Sequence, residues 1–176
     1  MVAYRRNFTP GASYFFTVTL LDRSSSLLTK KVDDLREVMR SVQVERPFTI
    51  DAIVILPDHL HCIWTLPPND ADYSIRWREI KSRFSRRVPV GEPRTIGRIN
   101  KSERGIWQRR FWEHTLRDPL DVEMHVDYIH YNPVKHGHAQ HVAEWPYSSV
   151  HRFVSRKEYP LDWADGEGLA GGGFGE

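Results

Sequence analysis

The sequence predicts an α+β fold built around a central antiparallel sheet. Segments rich in aromatic and β-branched residues, which favour strands, alternate with segments whose apolar residues recur at helical spacing. Two of the predicted strands are separated by Pro57 and Asp58 alone, and so short a connection joins antiparallel neighbours. At 176 residues, the chain is long enough for one domain of this kind with a sizeable core.

The first half of the chain accounts for three of the predicted strands. Residues 13–21 form the first strand, and residues 31–44 then place their apolar side chains on one face of a helix. Strands over residues 48–56 and 59–66 follow, and the second of them ends at a pair of prolines. These elements give the order β-α-β-β.

The second half begins with a helix predicted over residues 73–88, which a proline stops. Residues 106–117 are predicted to form the fourth strand. Asp118 and Pro119 are suited to an N-cap and a first helical turn, so an additional C-terminal helix begins there. The order β-α-β-β-α-β is the split β-α-β arrangement of ferredoxin-like folds. This topology hosts many functions and selects none of them.

Composition divides the chain into three regions. Residues 1–12 form an N-terminal arm, residues 13–157 form the domain, and residues 158–176 form an acidic, glycine-rich tail that is expected to be disordered. Within the domain, residues 89–105 are expected to form a mobile basic loop. The lone Cys62 excludes an internal disulfide and a cysteine-based metal cluster. Because no segment has the apolar length of a membrane span or the pattern of a signal peptide, we expect a cytoplasmic protein with no membrane partner.

The small net charge of +2 hides a strong asymmetry. Between Tyr73 and Arg110 there are twelve basic and three acidic residues, so this segment carries +9 and the remainder of the chain carries −7. Cations that neutralise phosphates, with aromatic rings between them that stack on bases, are typical of a nucleic-acid interface. A solvated basic helix followed by a flexible loop would carry the same charge, so both interpretations stay open.

Ten residues are predicted to contact nucleic acid. The lysines and arginines are assigned to phosphates, and the two tryptophans are assigned to unpaired bases. The set comprises Arg76, Trp77, Lys81, Arg83, Arg86, Arg87, Trp107, Arg109, Arg110 and Lys135.

A pair of histidines lies on the third predicted strand. His59 and His61 are two residues apart on a predicted strand, so their side chains point to the same face of the sheet. Neutral imidazole is the commonest side-chain metal ligand, and one ion could bridge such a pair. The chain has nine histidines, however, and a pair at this spacing can also arise without a metal.

The predicted C-terminal helix presents two different sides. Its apolar side, which is predicted to face the core, comprises Val122, Val126, Ile129 and Pro133. Tyr128 and Asn132 are four residues apart, so they stack on another side, which is predicted to face out of the core. Tyr128 could equally be an ordinary rim residue, and Asn132 could mark a helix end because it precedes a proline.

Two separated segments resemble one family. The sequence ILPDHLHCIWTLP at residues 55–67 resembles the His-hydrophobe-His strand of HUH single-strand nucleases, and HVDYIHYNPVKHG at residues 125–137 resembles the tyrosine helix of REP-associated tyrosine transposases. Similar stretches occur at residues 81–87, 106–118 and 145–154. The resemblance is colinear from about residue 14 to residue 154, and the ferredoxin-like core of the family agrees with the predicted element order.

The resemblance implies a role for each residue of the two motifs. Tyr128 corresponds to the nucleophile, His59 and His61 to metal ligands, and Asn132 to a third ligand position where related transposases often have Gln. His125, one turn before the tyrosine, could orient or deprotonate it. The implied ion is Mg²⁺ or Mn²⁺, and ligand softness alone would also permit Zn²⁺.

The resemblance also implies a substrate. It is single-stranded DNA with an imperfect palindromic hairpin of the repetitive extragenic (REP) type, cleaved through a covalent 5′-phosphotyrosine that leaves a free 3′-hydroxyl. The extra segment at residues 145–154 favours a monomer over a dimer that exchanges tyrosine helices.

Two other classes of function are compatible with parts of the sequence. A ferredoxin-like module could bind DNA or RNA without catalysis by stacking bases on strand aromatics. A structural metalloprotein is a third possibility, which the open set of nitrogen and oxygen ligands disfavours.

Overall fold

The computed structural model describes residues 6–164 and contains a four-stranded antiparallel sheet. The strands are β1 (Ser13–Thr19), β2 (Thr49–Ile55), β3 (His59–Thr65) and β4 (Trp112–Thr115). Their order in the sheet is β2-β3-β1-β4, so β3 lies between β1 and β2 and is antiparallel to both. This order confirms the predicted split β-α-β arrangement.

Six α-helices and one 3₁₀ turn occur in this part of the chain. They are α1 (Leu27–Lys30), α2 (Val32–Glu45), α3 (Tyr73–Arg87), α4 (Ile96–Ile99), α5 (Pro119–Lys135), the 3₁₀ turn Val142–Glu144, and α6 (Val150–Ser155). The three long helices agree with the predicted ones. The short helices α1, α4 and α6 were not predicted, because four to six residues are too few to show a helical period.

The two faces of the sheet are covered by different helices. Side chains alternate along a strand, so Phe16 of β1 and Cys62 of β3 point toward α2 and α3, where they join the larger core cluster. Phe15 and Ile63 point the other way and form a second cluster with Ile129 of α5. His59 and His61 share the face of Ile63. The histidine pair therefore lies on the same side of the sheet as the C-terminal helix.

The fourth strand is shorter than predicted. Only residues 112–115 belong to it, whereas Trp107 forms an isolated β-bridge with Leu20, the residue that follows β1. Ile106 and Trp107 are consecutive and both buried, which breaks the in-out alternation that a strand requires. The prediction of one strand over residues 106–117 was therefore wrong in its first half.

The basic loop at residues 89–105 is tied to the domain. It contains α4, and Arg104 forms an ion pair with Glu92 while also donating hydrogen bonds to the carbonyl groups of Ser85 and Val88. The hydrogen bond from Arg104 lowers the pKa of the Glu92 carboxyl to about 2. These contacts give the loop a defined conformation, which differs from the mobile loop that the composition predicts.

Both ends of the described chain pack on the domain. In the arm, the Phe8 ring stacks on Tyr73 with 5.0 Å between centroids. In the tail, Tyr159 stacks on Trp163 at 4.2 Å and its hydroxyl donates a hydrogen bond to Asp127 of α5. Residues 158–164 pack on the domain through these contacts, residues 165–176 lie outside the described part, and the expected disorder of the tail stays a prediction. Between residues 6 and 164, no helix is long and apolar enough to cross a membrane.

Candidate active site

The two histidines of β3 are buried side by side. Their ring centroids are 5.0 Å apart, and His59 and His61 are 2% and 0% exposed. Each ring is held through its Nδ1 atom: that of His59 donates to the Asp58 carboxylate at 2.8 Å, and that of His61 is 2.9 Å from the hydroxyl of Thr17. A ring fixed at Nδ1 presents Nε2 to a ligand, and a carboxylate behind a histidine is a frequent arrangement in metal sites.

Burial also sets the charge of this pair. Burial lowers the pKa of His59, although the hydrogen bond to Asp58 acts in the opposite direction. The imidazole is therefore neutral near pH 7, which is the form that binds a metal. Burial raises the pKa of the Asp58 carboxyl, but the contacts with His59 and Arg23 outweigh it and leave the pKa below its usual value. An ionised Asp58 thus lies behind a neutral His59.

Tyr128 of α5 lies against the histidine face. Its ring is 5.3 Å from His61 and 6.0 Å from Phe15, measured between centroids, and its side chain is 6% exposed. The prediction that Tyr128 and Asn132 face out of the core was wrong. Helix α5 lies flat on the second face of the sheet and packs against β2 and β3, so this side of the helix is buried as well as the apolar side.

Asn132 completes the group one turn after Tyr128. It is 0% exposed, and within the described residues neither atom of its amide makes a hydrogen bond. The same holds for Nε2 of His59. A buried polar atom without a partner costs about 1–3 kcal/mol, so such atoms usually have a ligand in the working protein. The donors that these two residues offer are nitrogen and oxygen atoms suited to a divalent cation.

A second group of possible metal ligands lies where β4 meets α5. It consists of His114, Asp121 and His125, whose ligand atoms are all within 4.8 Å of one another. His114 donates to the Asp121 carboxylate at 2.9 Å, and His125 donates to the Asp121 carbonyl oxygen at 2.7 Å. The Asp121 carboxylate also accepts the backbone N–H of Arg117 at 3.0 Å. The Asp121 side chain therefore already accepts hydrogen bonds from His114 and from the backbone of Arg117.

Comparisons with known proteins agree with this geometry. A sequence model of the family described as "Transposase IS200 like" matches residues 11–132. The chain is 48% identical to a REP-associated tyrosine transposase of Escherichia coli (strain K12) over 164 residues, which cover 93% of this chain and 92% of that protein. It also superposes on the structure of a REP-associated tyrosine transposase bound to a REP hairpin, with a TM-score of 0.81, 46% identity, and coverage of 99% and 98% of the two chains.

The chain belongs to the IS200-like transposase family. As a member with close relatives named tyrosine transposases, it is an enzyme of that class.

Three of the residues predicted to contact DNA are structural in this transposase. Trp77 is 1% exposed and stacks on Trp64 at 4.1 Å in the main core, and Trp107 is 6% exposed and packs on Phe84. Arg76 is 2% exposed, with its guanidinium group bonded to the Asp70 carboxylate. Arg76 and Trp77 therefore expose almost no surface to a ligand, whereas Trp107 also lines a groove beside α3, and the assignment of the three residues to DNA stays a prediction.

Other predicted DNA contacts are engaged within the protein. Arg83 pairs with Glu45, Arg87 pairs with Glu37, and Arg109 pairs with Glu103. The Lys81 ammonium donates to the Gln108 carbonyl oxygen at 3.0 Å, and burial lowers its pKa to about 8. Arg86 and Arg110 are exposed, as the prediction requires.

Lys135 lies next to the tyrosine. Its Nζ atom is 4.8 Å from the centroid of the Tyr128 ring and 3.5 Å from the hydroxyl oxygen. The structure therefore places this predicted DNA contact in the site itself.

Sequence reasoning missed two residues of the site. The His136 ring is 5.2 Å from that of His59, and Phe15 contacts His61, His125 and Tyr128 through its ring. His136 is four residues after Asn132, so the helical spacing that linked Tyr128 to Asn132 could have identified it. Phe15 gives no such signal because a buried aromatic in a strand is an ordinary core residue.

Proposed function

We propose that this transposase cleaves and rejoins single-stranded DNA beside an imperfect palindromic hairpin of the REP type, with Tyr128 as the nucleophile. One observation supports this most directly: Tyr128, Asn132 and the two histidines come together on one sheet face. The relatives' names and the hairpin-bound neighbour support the choice of DNA.

The residues of this face fit a divalent cation. His59, His61 and Asn132 would hold Mg²⁺ or Mn²⁺, because the buried atoms of His59 Nε2 and the Asn132 amide make no hydrogen bond among residues 6–164. The His114, Asp121 and His125 group is less suited, since the Asp121 carboxylate already accepts hydrogen bonds from His114 and from the backbone of Arg117. A cation bound by the histidines would offset the negative charge of a phosphodiester and leave positions open for its oxygens.

The protein's own groups account for the covalent step. The Tyr128 oxygen attacks the phosphorus, an O–P bond forms, and the bond from phosphorus to the 3′-oxygen breaks. The tyrosine proton is lost, the 3′-oxygen gains a proton, and the products are a 5′-phosphotyrosine and a 3′-hydroxyl. Another 3′-hydroxyl can reverse the reaction without an energy source, because the phosphotyrosine retains the ester. His125, whose ring is 4.8 Å from Phe15, is proposed to position Tyr128 through that shared aromatic contact.

A groove on the α3 side is proposed to hold the hairpin stem. It has a volume of about 680 Å³ and lies between α3 and the basic loop. Its exposed cations are Arg78, Arg86, Lys101 and Arg109. Gln108 in the groove wall donates to the Thr19 carbonyl at 3.0 Å, and Thr19 pairs with His59 across the sheet. A DNA strand that leaves the groove at this point would reach the end of β3 that carries the histidines.

The alternative of a binding module without catalysis finds no support in the sheet. Such a module would stack bases on strand aromatics, but Tyr14, Phe15, Phe16 and Trp64 are all 0% exposed.

We further propose that one chain forms the whole site. After α5, the Trp145 indole donates to the Ile55 carbonyl at 3.0 Å, and the Ile53 N–H donates to the hydroxyl of Ser149. These bonds fasten the segment after α5 to β2 of the same chain. A single species of monomer mass in light scattering, with activity, would support this; a dimer required for activity would contradict it.

The deciding experiment is incubation with hairpin-bearing single-stranded DNA and Mn²⁺ or Mg²⁺, followed by a denaturing gel. We expect a covalent protein–DNA adduct that requires the cation and is absent in Tyr128→Phe, while hairpin binding is retained. An adduct that persists in Tyr128→Phe would refute the assignment of the nucleophile.

A further inference from the structure

Lys135 carries a positively charged group, of the kind that binds phosphate, beside the Tyr128 hydroxyl. Its Nζ lies 3.5 Å from the hydroxyl oxygen. Tyr128, Asn132 and Lys135 follow one another at intervals of four and three residues, so they line one side of α5. A fixed positive charge and a candidate metal ligand therefore flank the nucleophile along the same helix.

Lys135 is more accessible to solvent than Tyr128. Lys135 is exposed, whereas Tyr128 is 6% exposed. The ammonium group lies over the ring at 4.8 Å from its centroid, close enough for a cation–π contact. A phosphate that reaches the hydroxyl oxygen therefore comes within reach of this ammonium.

We propose that Lys135 is a further catalytic residue that binds a non-bridging oxygen of the phosphate attacked by Tyr128. This inference rests on the function proposed above. Negative charge on the non-bridging oxygens hinders attack and must be stabilised as the O–P bond forms, and a positioned cation supplies this stabilisation. Lys135 takes no part in proton transfer: the new bond joins the Tyr128 oxygen to phosphorus, and the bond to the 3′-oxygen breaks as before.

Two other roles for Lys135 make different predictions. A lysine that only supports the tyrosine ring would matter equally for every substrate. A lysine that binds a phosphate elsewhere along the strand would affect DNA affinity and leave the rate at saturating DNA unchanged. A contact with the reacting phosphate is distinguished from both by its dependence on the charge of that one phosphate.

The test compares two hairpin substrates, one natural and one with an uncharged methylphosphonate at the scissile linkage. Adduct formation is measured at saturating DNA with Mn²⁺ for the wild type, Lys135→Met and Lys135→Arg. Lys157→Met serves as the matched control, since Lys157 is exposed at the end of α6. On the natural substrate we expect Lys135→Met to be slower by about 100-fold, with Lys135→Arg intermediate and Lys157→Met unchanged.

The methylphosphonate substrate distinguishes a contact with the reacting phosphate from the two other roles. We expect Lys135→Met and the wild type to react at similar rates on it, because the charge that Lys135 offsets has been removed. An equal defect of Lys135→Met on both substrates, or a loss confined to hairpin affinity, would overturn the proposal. Failure of the proposed function is separate, because it appears as an adduct that persists in Tyr128→Phe.

Discussion

Asn132 illustrates how a residue can serve function at the expense of stability. Its amide is fully buried, and within the described chain it makes no hydrogen bond. Leucine has a similar shape and no polar atoms, so it removes the cost of burying an unsatisfied amide.

We therefore expect Asn132→Leu to raise the free energy of unfolding by about 1–3 kcal/mol when EDTA is present, and to abolish the stabilisation that Mn²⁺ gives the wild type. Urea denaturation with EDTA and with Mn²⁺ measures both effects. Asn100→Leu, at an exposed position, should change neither. A large loss of stability in Asn132→Leu with EDTA would show that Asn132 has a structural role instead.

Lys81 gives a pH-dependent prediction. Burial lowers its pKa to about 8, whereas an unfolded chain has a lysine pKa of about 10.4. Between these two values the unfolded chain binds more protons than the folded one, so this lysine makes stability increase as the pH rises. Below about pH 7 the lysine is protonated in both the folded and the unfolded chain, so its contribution is nearly constant.

The free energy of unfolding of the wild type relative to Lys81→Met should thus increase from pH 8 to pH 10 and stay nearly level from pH 6 to pH 7. Urea denaturation at these pH values measures the difference. A difference that does not change with pH would mean that the Lys81 ammonium is solvated.

For single residues, the sequence indicated the chemical groups of the site but not which side chains are exposed. The His59 and His61 spacing predicts their shared face, because strand alternation needs no tertiary information. Arg76 and Trp77 were expected to be accessible, because the residues of a basic run are normally at the surface, but both are buried. The burial of Arg76 depends on Asp70 and on the carbonyl groups of Arg46 and Pro47, which only the folded chain brings together.

Among the elements, α5 matters most because it carries Tyr128, the proposed nucleophile. Its beginning was predictable from Asp118 and Pro119, and the Asp118 carboxylate accepts the N–H of Asp121 at 2.9 Å. The shortened β4 was less predictable, because its boundary depends on the burial of Trp107 against α3 rather than on local composition.

We expect Asp118→Ala to lower the free energy of unfolding by about 1 kcal/mol, since the N-cap hydrogen bond is lost. Asp118→Ser, which retains a capping oxygen, should remain close to the wild type. Thermal denaturation measures both variants. If alanine and serine give the same stability, the cap does not contribute to holding α5.

For the whole molecule, the proposed DNA groove and the proposed site of chemistry lie on opposite sides of the sheet. Acidic residues of α2 neutralise the outer arginines of α3, so the +9 segment is basic mainly along the groove. The sequence showed the charge but could not show this distribution, because the neutralising partners Glu37 and Glu45 belong to another helix.

Salt dependence tests the groove. We expect Arg86→Gln and Lys101→Gln each to weaken hairpin binding and to reduce the slope of log affinity against log salt by about 1, because each removes a phosphate contact. Arg83→Gln and Arg87→Gln are matched controls on the same helix, and should leave the slope unchanged. If all four variants behave alike, DNA does not use the groove selectively.

The position of Cys62 has a practical consequence. It is the chain's single cysteine, it is 0% exposed beneath α2 and α3, and burial raises the pKa of its thiol well above the usual value. Thiol-reactive dyes should therefore leave the native protein unmodified. A cysteine introduced in place of Ser82, an exposed and uncharged residue of the groove, would then be the one labelled position, and fluorescence transfer to a dye on the DNA could follow the path of the strand from the groove to Tyr128 during a single turnover.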